Sequence, residues 1–570
     1  MTSPEAEPAT DEFDVVVVGS GAAGMTAALA AARQGLRALV VEKAAHYGGS
    51  TARSGGGVWV PNNEVLRKAG VRDTPEKAAA YLAGIVGDAV DPARLEALLA
   101  HGPAMVEMVR AGTPLDFRWV PGYADYYPEA EGGLARGRTM EPRPFDGHVL
   151  GADLADLNPP YMSSPLDVPV TAAHYRWLNL IARHPRGAVS ALLIGLRWLV
   201  SRVRGQRLLT MGQALVAGLR AGLRRADVPV WLNAPMVELR TADGTVTGVL
   251  VRRDGHDVPV AARLGVVLAA GGFEHNEQLR KRYQREPIGT QWTVGAKENT
   301  GDAILAGAAL DAALDLMDDA WWGPSIPLTG GPYFCLSERT LPGCIMVNAR
   351  GRRFVNEAAP YVDAVHAMYG DGDGPGVNIP TWLIADQRYR NRYMFAGLGP
   401  RQPFPSRWYR AGAVVRATTL DELAERTGLP GEELKSTVDT FNTFARNGDD
   451  EDFHRGDSAY DRYYGDPRNR PNPSLAPLSA PPFYAVRMVP GDLGTKGGLR
   501  TDAHARVLRT DGSVIPGLYA AGNTSAAVMG RTYAGAGATI GPAMTFGYLA
   551  ATHIAGRAAA AHTEHDGGKR

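Results

Sequence analysis

The apolar positions of this chain fall into short continuous runs broken by glycine turns, and the first run sets the fold class. Asp14 is followed by Val15-Val16-Val17-Val18, an unbroken β-branched run. Such a run predicts a strand buried on both faces, as in a parallel sheet. Gly19-Ser20-Gly21-Ala22-Ala23-Gly24 comes next. The alanine-rich stretch Met25 to Gly35 then predicts a helix that Gly35 stops. Leu36 to Val41 predicts a second strand, ending at Glu42. The order strand, glycine turn, helix, strand is a βαβ unit of an α/β fold. Two later segments repeat the strand-into-glycine pattern: Gly265 to Leu268 running into Ala269-Ala270-Gly271-Gly272, and Gly517 to Ala521 running into Gly522-Asn523. There is no internal repeat.

Two helices stand out elsewhere. Between Ala188 and Val203, the positions Leu192, Leu193, Leu196, Leu199, Val200 and Val203 recur at helical spacing. Arg197 and Arg202 interrupt this stretch, and Arg183, Arg186, Arg204 and Arg207 flank it, so it is no membrane span. Packing on its own protein is the plainer reading, and contact with anionic headgroups is the sharper one. Near the C-terminus, Ile540-Gly541-Pro542 opens a helix over Ala543 to His553, with proline in its favoured first turn. Gly370 to Pro375 and Pro467 to Pro477 read as loops or linkers, and the polar stretch Asp449 to Asp466 as a solvated surface segment. Residues 1–9 and 561–570 read as disordered tails.

The glycine turn carries chemistry. In a G-x-G-x-x-G turn, Gly19 allows the tight bend, Gly21 lets backbone approach a pyrophosphate, and Gly24 lets helix and strand pack closely. The helix N-terminus offers free N–H groups and a positive dipole end to phosphate. Glu42 stands where a carboxylate accepts from an adenosine ribose. The loop Gly48-Gly49-Ser50-Thr51 and the nearby Ser54-Gly55-Gly56-Gly57 suit an extended ligand lying flat on backbone and hydroxyl donors. Recruitment of the far C-terminal segment favours FAD over NAD, because a flavin ring lies far from its adenine and needs a cradle of its own.

Composition narrows the field. The 570 residues hold 60 basic and 60 acidic side chains, a formal net charge of zero, which argues against a nucleic-acid partner. The 68 glycines amount to about 12%, above the usual ~7%. Cys335 and Cys344 are too few for a disulfide framework and lack metal-ligand spacing, so both read as packing residues in a reducing, cytoplasmic setting, with no metal site. The start, MTSPEAEPATDEFD, is no signal peptide.

The N-terminal unit, the GGST loop and the AAGN segment resemble the flavoprotein class of succinate dehydrogenase and fumarate reductase. Within that class, VPGYADYYPEAEGG (120–133), DLMDDAWWGP (315–324), NEAAPYVDA (356–364), GDLGTKGGLRTD (491–502) and TYAGAGATIGPAMTFGYLAA (532–551) are similar to actinobacterial 3-ketosteroid Δ1-dehydrogenases. The resemblance covers nearly the whole chain. It implies an α/β fold with a Rossmann-type FAD-binding domain built from discontinuous segments, at about 10–110, 208–318 and 478–560, and an inserted α+β catalytic domain at about 319–477. By the same resemblance, residues 111–207 are expected to form a further insertion carrying one active-site tyrosine and the arginine-rich helix.

The implied reaction removes a proton from C2 and a hydride from C1 of a 3-ketosteroid. C2–H is acidic only when the C3 carbonyl is polarised, so the site needs an oxyanion-type cradle at the C3 oxygen and a base near C2. By resemblance, the Tyr533 hydroxyl and the Gly537 N–H form the cradle, Tyr361 is the base, and Tyr126 rather than its neighbour Tyr127 assists it. A phenol with a pKa near ~10 needs such help to act as a base at neutral pH. Relatives often have prolines at Ala534 and Ala536, so this loop is expected to be less rigid. By the same resemblance, the helix N-terminus at Ile540 is expected to point at the flavin. The remaining cofactor contacts implied are Ser20, Ala22, Ala23, Lys43, Val237, Ala270, Gly271, Gly522 and Asn523. No histidine lies within Gly48 to Gly57, so FAD is expected to be non-covalent, and His46 reads as a surface residue. Trp321 and Trp322 read either as walls for a flat steroid or as core. A quinone is the implied electron acceptor. The competing readings are a C4–C5 (5α) dehydrogenase, a fumarate-reductase-like enoate reductase and a non-catalytic flavoprotein. Tyrosines in the matching segments argue against the last two.

Overall fold

Four strand ends meet along one edge of an eight-stranded sheet, and this positions everything that follows. The computed structural model describes residues 11–161, 168–370 and 376–567, with side chains up to residue 560. The strand Asp11–Val18 lies between His256–Leu268 and Ala38–Val41, parallel to both. Val514–Ala520 runs parallel to His256–Leu268 on the far side. In register, Val18 lies opposite Val41 and Leu268, and Leu268 opposite Ala520. The segments after these strands begin with Gly19, Glu42, Ala269 and Ala521, so they all leave the sheet at its carboxyl edge. In open α/β sheets that edge is where the ligand crevice forms.

The local reasons are those the pattern gives. Val15, Val16 and Val17 are fully buried. The helix spans Ala22–Arg33 and ends ahead of Gly35, which adopts a positive φ of 81°. Gly19 has φ +107°, and a Cβ there would sit 2.3 Å from the Ala269 carbonyl oxygen. At Gly24 a Cβ would sit 2.0 Å from the Gly19 oxygen. Each of these glycines answers a close backbone approach.

A second, antiparallel six-stranded sheet is built from Ala320–Leu328, Gly331–Phe334, Cys344–Val347, Thr381–Asp386, Val414–Ala417 and Phe483–Thr495. The helix Tyr361–Tyr369 packs on it.

Three expectations are corrected. The stretch Asp449 to Asp466 is a solvated surface only in part: Asp449, Glu451, Asp452, His454, Asp457 and Arg462 are exposed, while its tyrosines and its other charges turn inward. Asp450, Arg455 and Asp466 are fully buried, with Tyr460, Tyr463 and Tyr464 also in the core. Its charges are paired inside: Arg353 bridges Glu357 at 2.9 Å and Asp450 at 2.7 Å, and Arg455 reaches Glu357 at 3.0 Å. Composition shows polarity but not pairing, and paired charges can be buried. The C-terminal helix runs over Ile540–Gly567, so most of the expected tail at 561–570 is helical. The leucine row of the helix Pro185–Val203 is exposed rather than packed on the protein. The expected N-terminal tail at 1–9, and the loop at 370–375 beyond Gly370, lie outside the described residues.

Candidate active site

A cavity of about 1050 Å³ opens along the carboxyl edge of the large sheet and continues to a cluster of tyrosines. At that end Tyr126, Tyr361 and Tyr533 line it together. Tyr361 is the first residue of its helix, Tyr126 lies in the 120–137 loop, and Tyr533 lies just before the C-terminal helix. Their rings pack with centroids 5.1–5.4 Å apart. The Tyr126 hydroxyl donates to the Tyr361 hydroxyl at 3.2 Å. Tyr127 points elsewhere and donates to Asp363 at 2.9 Å.

Burial pushes Tyr361 well above the ordinary phenol value, and neighbouring tyrosines add to this, while the Tyr126 donation works against it. Burial likewise raises Tyr126. Tyr533 is raised by burial, but the hydroxyls of Thr539 and Tyr361 and the Gly537 N–H all pull it back. Thr539 donates to the Tyr533 hydroxyl at 3.0 Å. With its oxygen already served, the Tyr533 proton is free to point at a ligand.

The loop 532–537 lacks prolines but is tied down. The Ala534 carbonyl accepts from the Tyr81 hydroxyl at 2.6 Å and from the Tyr126 N–H at 3.1 Å. The Ala536 carbonyl accepts from Thr139 at 2.8 Å. The expected looseness is therefore offset by hydrogen bonds from three separate segments. Gly537 has φ +94°, and a Cβ there would lie 2.4 Å from the Gly57 carbonyl carbon. Backbone contact at this point joins the tyrosine end to the glycine loop 54–57.

The other wall is the glycine-rich edge. Gly19, Ser20, Gly21, Ala22 and Ala23 line it, with Glu42 and Lys43 after the second strand. Gly49, Ser50, Thr51, Ser54, Gly55 and Gly56 continue it, and Ala270, Gly271, Gly522, Asn523 and Ile540 complete it. A Cβ at Gly21 would meet only Thr51 Oγ1, at 3.7 Å, so that face is open to a ligand. Glu42 Oε2 accepts from the Ser20 N–H at 3.0 Å and from its hydroxyl at 2.6 Å, and Oε1 accepts from the Ala44 N–H at 2.9 Å. A carboxylate has about four acceptor sites, which leaves capacity for a ribose hydroxyl. Lys43 pairs with Asp302 at 2.6 Å. Gly24 and Gly48 are not on the wall. The Gly48 N–H donates to Ser20 Oγ at 3.0 Å, which holds the two loops together. The Val237 side chain is 42% exposed, and Met236 faces the cavity instead. The open glycine face, a helix N-terminus and an acid with spare acceptor capacity fit a long dinucleotide.

The FAD binding domain family model matches residues 14–540. A 3-oxosteroid 1-dehydrogenase of Mycobacterium tuberculosis is 61% identical over 557 residues, covering 96% of this chain and 99% of that protein. The chain belongs to the 3-oxosteroid 1-dehydrogenase family. It is an FAD-dependent oxidoreductase whose reaction is the Δ1-dehydrogenation of 3-ketosteroids. The structure of the Sterolibacterium denitrificans 3-ketosteroid Δ1-dehydrogenase, solved with 1,4-androstadiene-3,17-dione, matches with a TM-score of 0.90 at 41% identity, over 96% of this chain and 100% of that one. A 4-oxocyclohexanecarboxylate 2-dehydrogenase of Sinomonas cyclohexanicum is 36% identical over 96% of this chain and 93% of its own length.

The enzyme's site contains residues that sequence reasoning missed. Phe334 packs edge-on against Tyr361 at 5.2 Å, and Tyr460 lies 4.6 Å from Tyr126. Tyr464 donates to Tyr123 at 3.2 Å, and both line the cavity. The only signal was the tyrosine density of the segment around Tyr460 to Tyr464, which its acids obscured. Trp321 and Trp322 do not line the cavity. Trp321 supports Tyr533 from behind, with its ring 5.0 Å away, and donates to Asn523 at 3.0 Å. Trp322 is core, packed on Tyr369. His46 is exposed at the cavity rim. Cys335 and Cys344 are buried and unpaired.

Proposed function

We propose that Tyr361 is the base that takes the C2 proton of the bound 3-ketosteroid, that Tyr126 assists it, and that Tyr533 and the Gly537 N–H hold the C3 oxygen. The observation that carries this reading is the direction of the hydrogen bonds. Tyr126 donates to Tyr361, and Thr539 donates to Tyr533. The first bond stabilises negative charge on the residue that must accept a proton. The second leaves the other tyrosine a proton to give. Preorganised donors at the ketone oxygen are worth about 3–4 kcal/mol each in comparable oxyanion sites. FAD, when bound, supplies the hydride acceptor for C1. Ser20 to Ala23, Glu42, the 49–56 loop, Gly271, Gly522, Asn523 and Ile540 would hold it without a covalent link.

Burial of all three tyrosines supports exclusion of water from the proton transfer. The domain reading also stands as a proposal: an FAD unit on the eight-stranded sheet and a catalytic unit on the six-stranded one. Phe483–Thr495 pairs within the latter, although it falls inside the third FAD segment. A cytoplasmic enzyme that meets a membrane peripherally fits the exposed leucine row. Among the described residues, no helix is long and apolar enough to cross one. A quinone, itself lipid-soluble, fits that setting as the electron acceptor.

The test mixes holoenzyme anaerobically with 4-androstene-3,17-dione. Wild type is expected to bleach its flavin and yield the 1,4-diene. Tyr361→Phe is expected to bind steroid and bleach only slowly. Wild-type rates in that variant would remove Tyr361 as the base.

A further inference from the structure

Arg339 is a buried cation short of partners. It has no solvent exposure, and its Nη1 donates to the Glu357 carbonyl. Its Nε and Nη2 have no hydrogen-bond partner among the described residues, so no carboxylate there is hydrogen-bonded to it. A buried charge is normally paired.

The neighbouring cations are paired. Arg138 is held by Asp73 and Asp125, Lys496 and His366 share Asp319, and Arg353 and Arg455 share Glu357. Asp363, on the Tyr361 helix, accepts from Tyr127 instead. What Arg339 meets is phenols. Burial raises Tyr123 and Tyr460, and the charge of Arg339 pulls both back. These two rings flank Tyr126, with centroids 6.3 and 4.6 Å away. The Tyr460 hydroxyl is itself buried without a partner. Tyr126 in turn donates to Tyr361. The Glu357 carbonyl that Arg339 binds lies just before the helix that Tyr361 opens.

We propose that Arg339 is a positioning residue for the proton abstraction. It fixes the turn into the Tyr361 helix and puts an uncompensated positive charge behind the Tyr126–Tyr361 pair, so that the pair carries negative charge when the steroid arrives. The proposal rests on Tyr361 being the base. A cation without a carboxylate of its own favours a nearby phenolate, and a cluster that excludes water screens the attraction weakly. In the step it serves, the C2–H bond breaks and the proton joins the Tyr361 oxygen. The electron pair left at C2 becomes the second C1–C2 bond as the C1 hydride departs to the flavin.

The test follows kcat against pH in Arg339→Gln, Arg339→Lys and Tyr361→Phe holoenzymes, with flavin content and melting temperature measured alongside. Arg339→Gln should move the rise of kcat up by about one pH unit and cut kcat at pH 7 about tenfold. Arg339→Lys keeps the charge and should bring the rise back toward wild type. Tyrosinate absorbance, taken as the difference between each Arg339 form and the same form carrying Tyr361→Phe, should shift in parallel. If Arg339→Gln does not fold, Asp363→Asn is compared with Asp363→Asn/Arg339→Gln, which removes one buried charge of each sign. The same displacement of about one pH unit should separate them. A rise that coincides in wild type and Arg339→Gln, whatever the melting temperature does, overturns the proposal and leaves Tyr361 as the base. A rise displaced as far in Arg339→Lys as in Arg339→Gln also overturns it, since the charge is then not the cause. Wild-type turnover in Tyr361→Phe overturns the base and this proposal together.

Discussion

The Tyr126 hydroxyl donates to the Tyr361 hydroxyl at 3.2 Å across 235 positions of sequence. Burial alone makes Tyr361 a reluctant phenolate, and this donation opposes it. The sign follows directly. Removing the Tyr126 hydroxyl raises the pKa of Tyr361 further, so the rise of kcat with pH should move to higher pH in Tyr126→Phe. Tyr361→Phe should lose the base altogether and drop kcat about 10²–10⁴-fold, the range for a lost acid–base group. Steroid affinity, read from perturbation of the flavin spectrum, should change little. A Tyr126→Phe profile superimposable on wild type would remove Tyr126 from this role.

Gly537→Ala should fail for steric rather than chemical reasons. The position has φ +94°, and its Cβ would press on the Gly57 backbone at 2.4 Å. The strain must open the contact between the tyrosine loop and the 54–57 loop, so both ends of the site should suffer. Expected outcomes are weaker flavin retention on gel filtration and a loss of turnover. Gly535→Ala should be damaging through Trp59, whose ring would lie 2.7 Å from the new Cβ.

Lys496 is fully buried, with its ammonium 3.2 Å from Asp319 and donating to the Thr532 carbonyl at 3.1 Å, one residue before Tyr533. Asp319 also accepts from His366 at 2.8 Å and Trp322 at 2.6 Å. Lys496→Met leaves a buried carboxylate short of a cation, which typically costs about 3–5 kcal/mol. The melting temperature should fall, and kcat should fall with it because the Thr532 anchor is lost. An unchanged melting temperature would show that His366 and Trp322 satisfy Asp319 without Lys496.

Glu357 is a fully buried carboxylate beside the second sheet, paired with both Arg353 and Arg455. Burial disfavours its charge, but Arg353 and Arg455 outweigh that and hold its carboxyl below the ordinary 4.5. A group depressed in the folded state contributes stability above its unfolded pKa and loses it as pH falls through the folded value. Denaturant titrations from pH 7 downward should therefore show wild type losing stability below about pH 4.5. Glu357→Gln should start less stable at pH 7 and lose less on acidification. Parallel curves for the two proteins would assign the acid sensitivity elsewhere.

The first βαβ unit was legible because its signals are local. Four consecutive valines, a glycine turn and an alanine-rich helix each act within a few residues, and the structure places them as the pattern implies. The tyrosines were legible only through resemblance. Nothing local distinguishes Tyr361 from Tyr369 on the same helix, yet Tyr369 is core and donates to the Pro287 carbonyl. The segment Asp449 to Asp466 misled because a buried Arg–Glu–Arg–Asp network and a solvated charge run have the same composition. The leucine row misled in the opposite way. Helical spacing fixes that those residues share a face, but not what that face meets.

The sequence by itself determined the parallel strands, the turns that need glycine and the kind of ligand those turns can take, because backbone conformation and burial of β-branched runs are decided over short distances. Only the tertiary structure decided which tyrosine donates to which, that hydrogen bonds from Tyr81, Tyr126 and Thr139 fix a proline-free loop, and that the Pro185–Val203 helix turns its leucines outward. Those outcomes depend on groups hundreds of residues apart being brought within hydrogen-bonding distance, and no local propensity encodes such a distance.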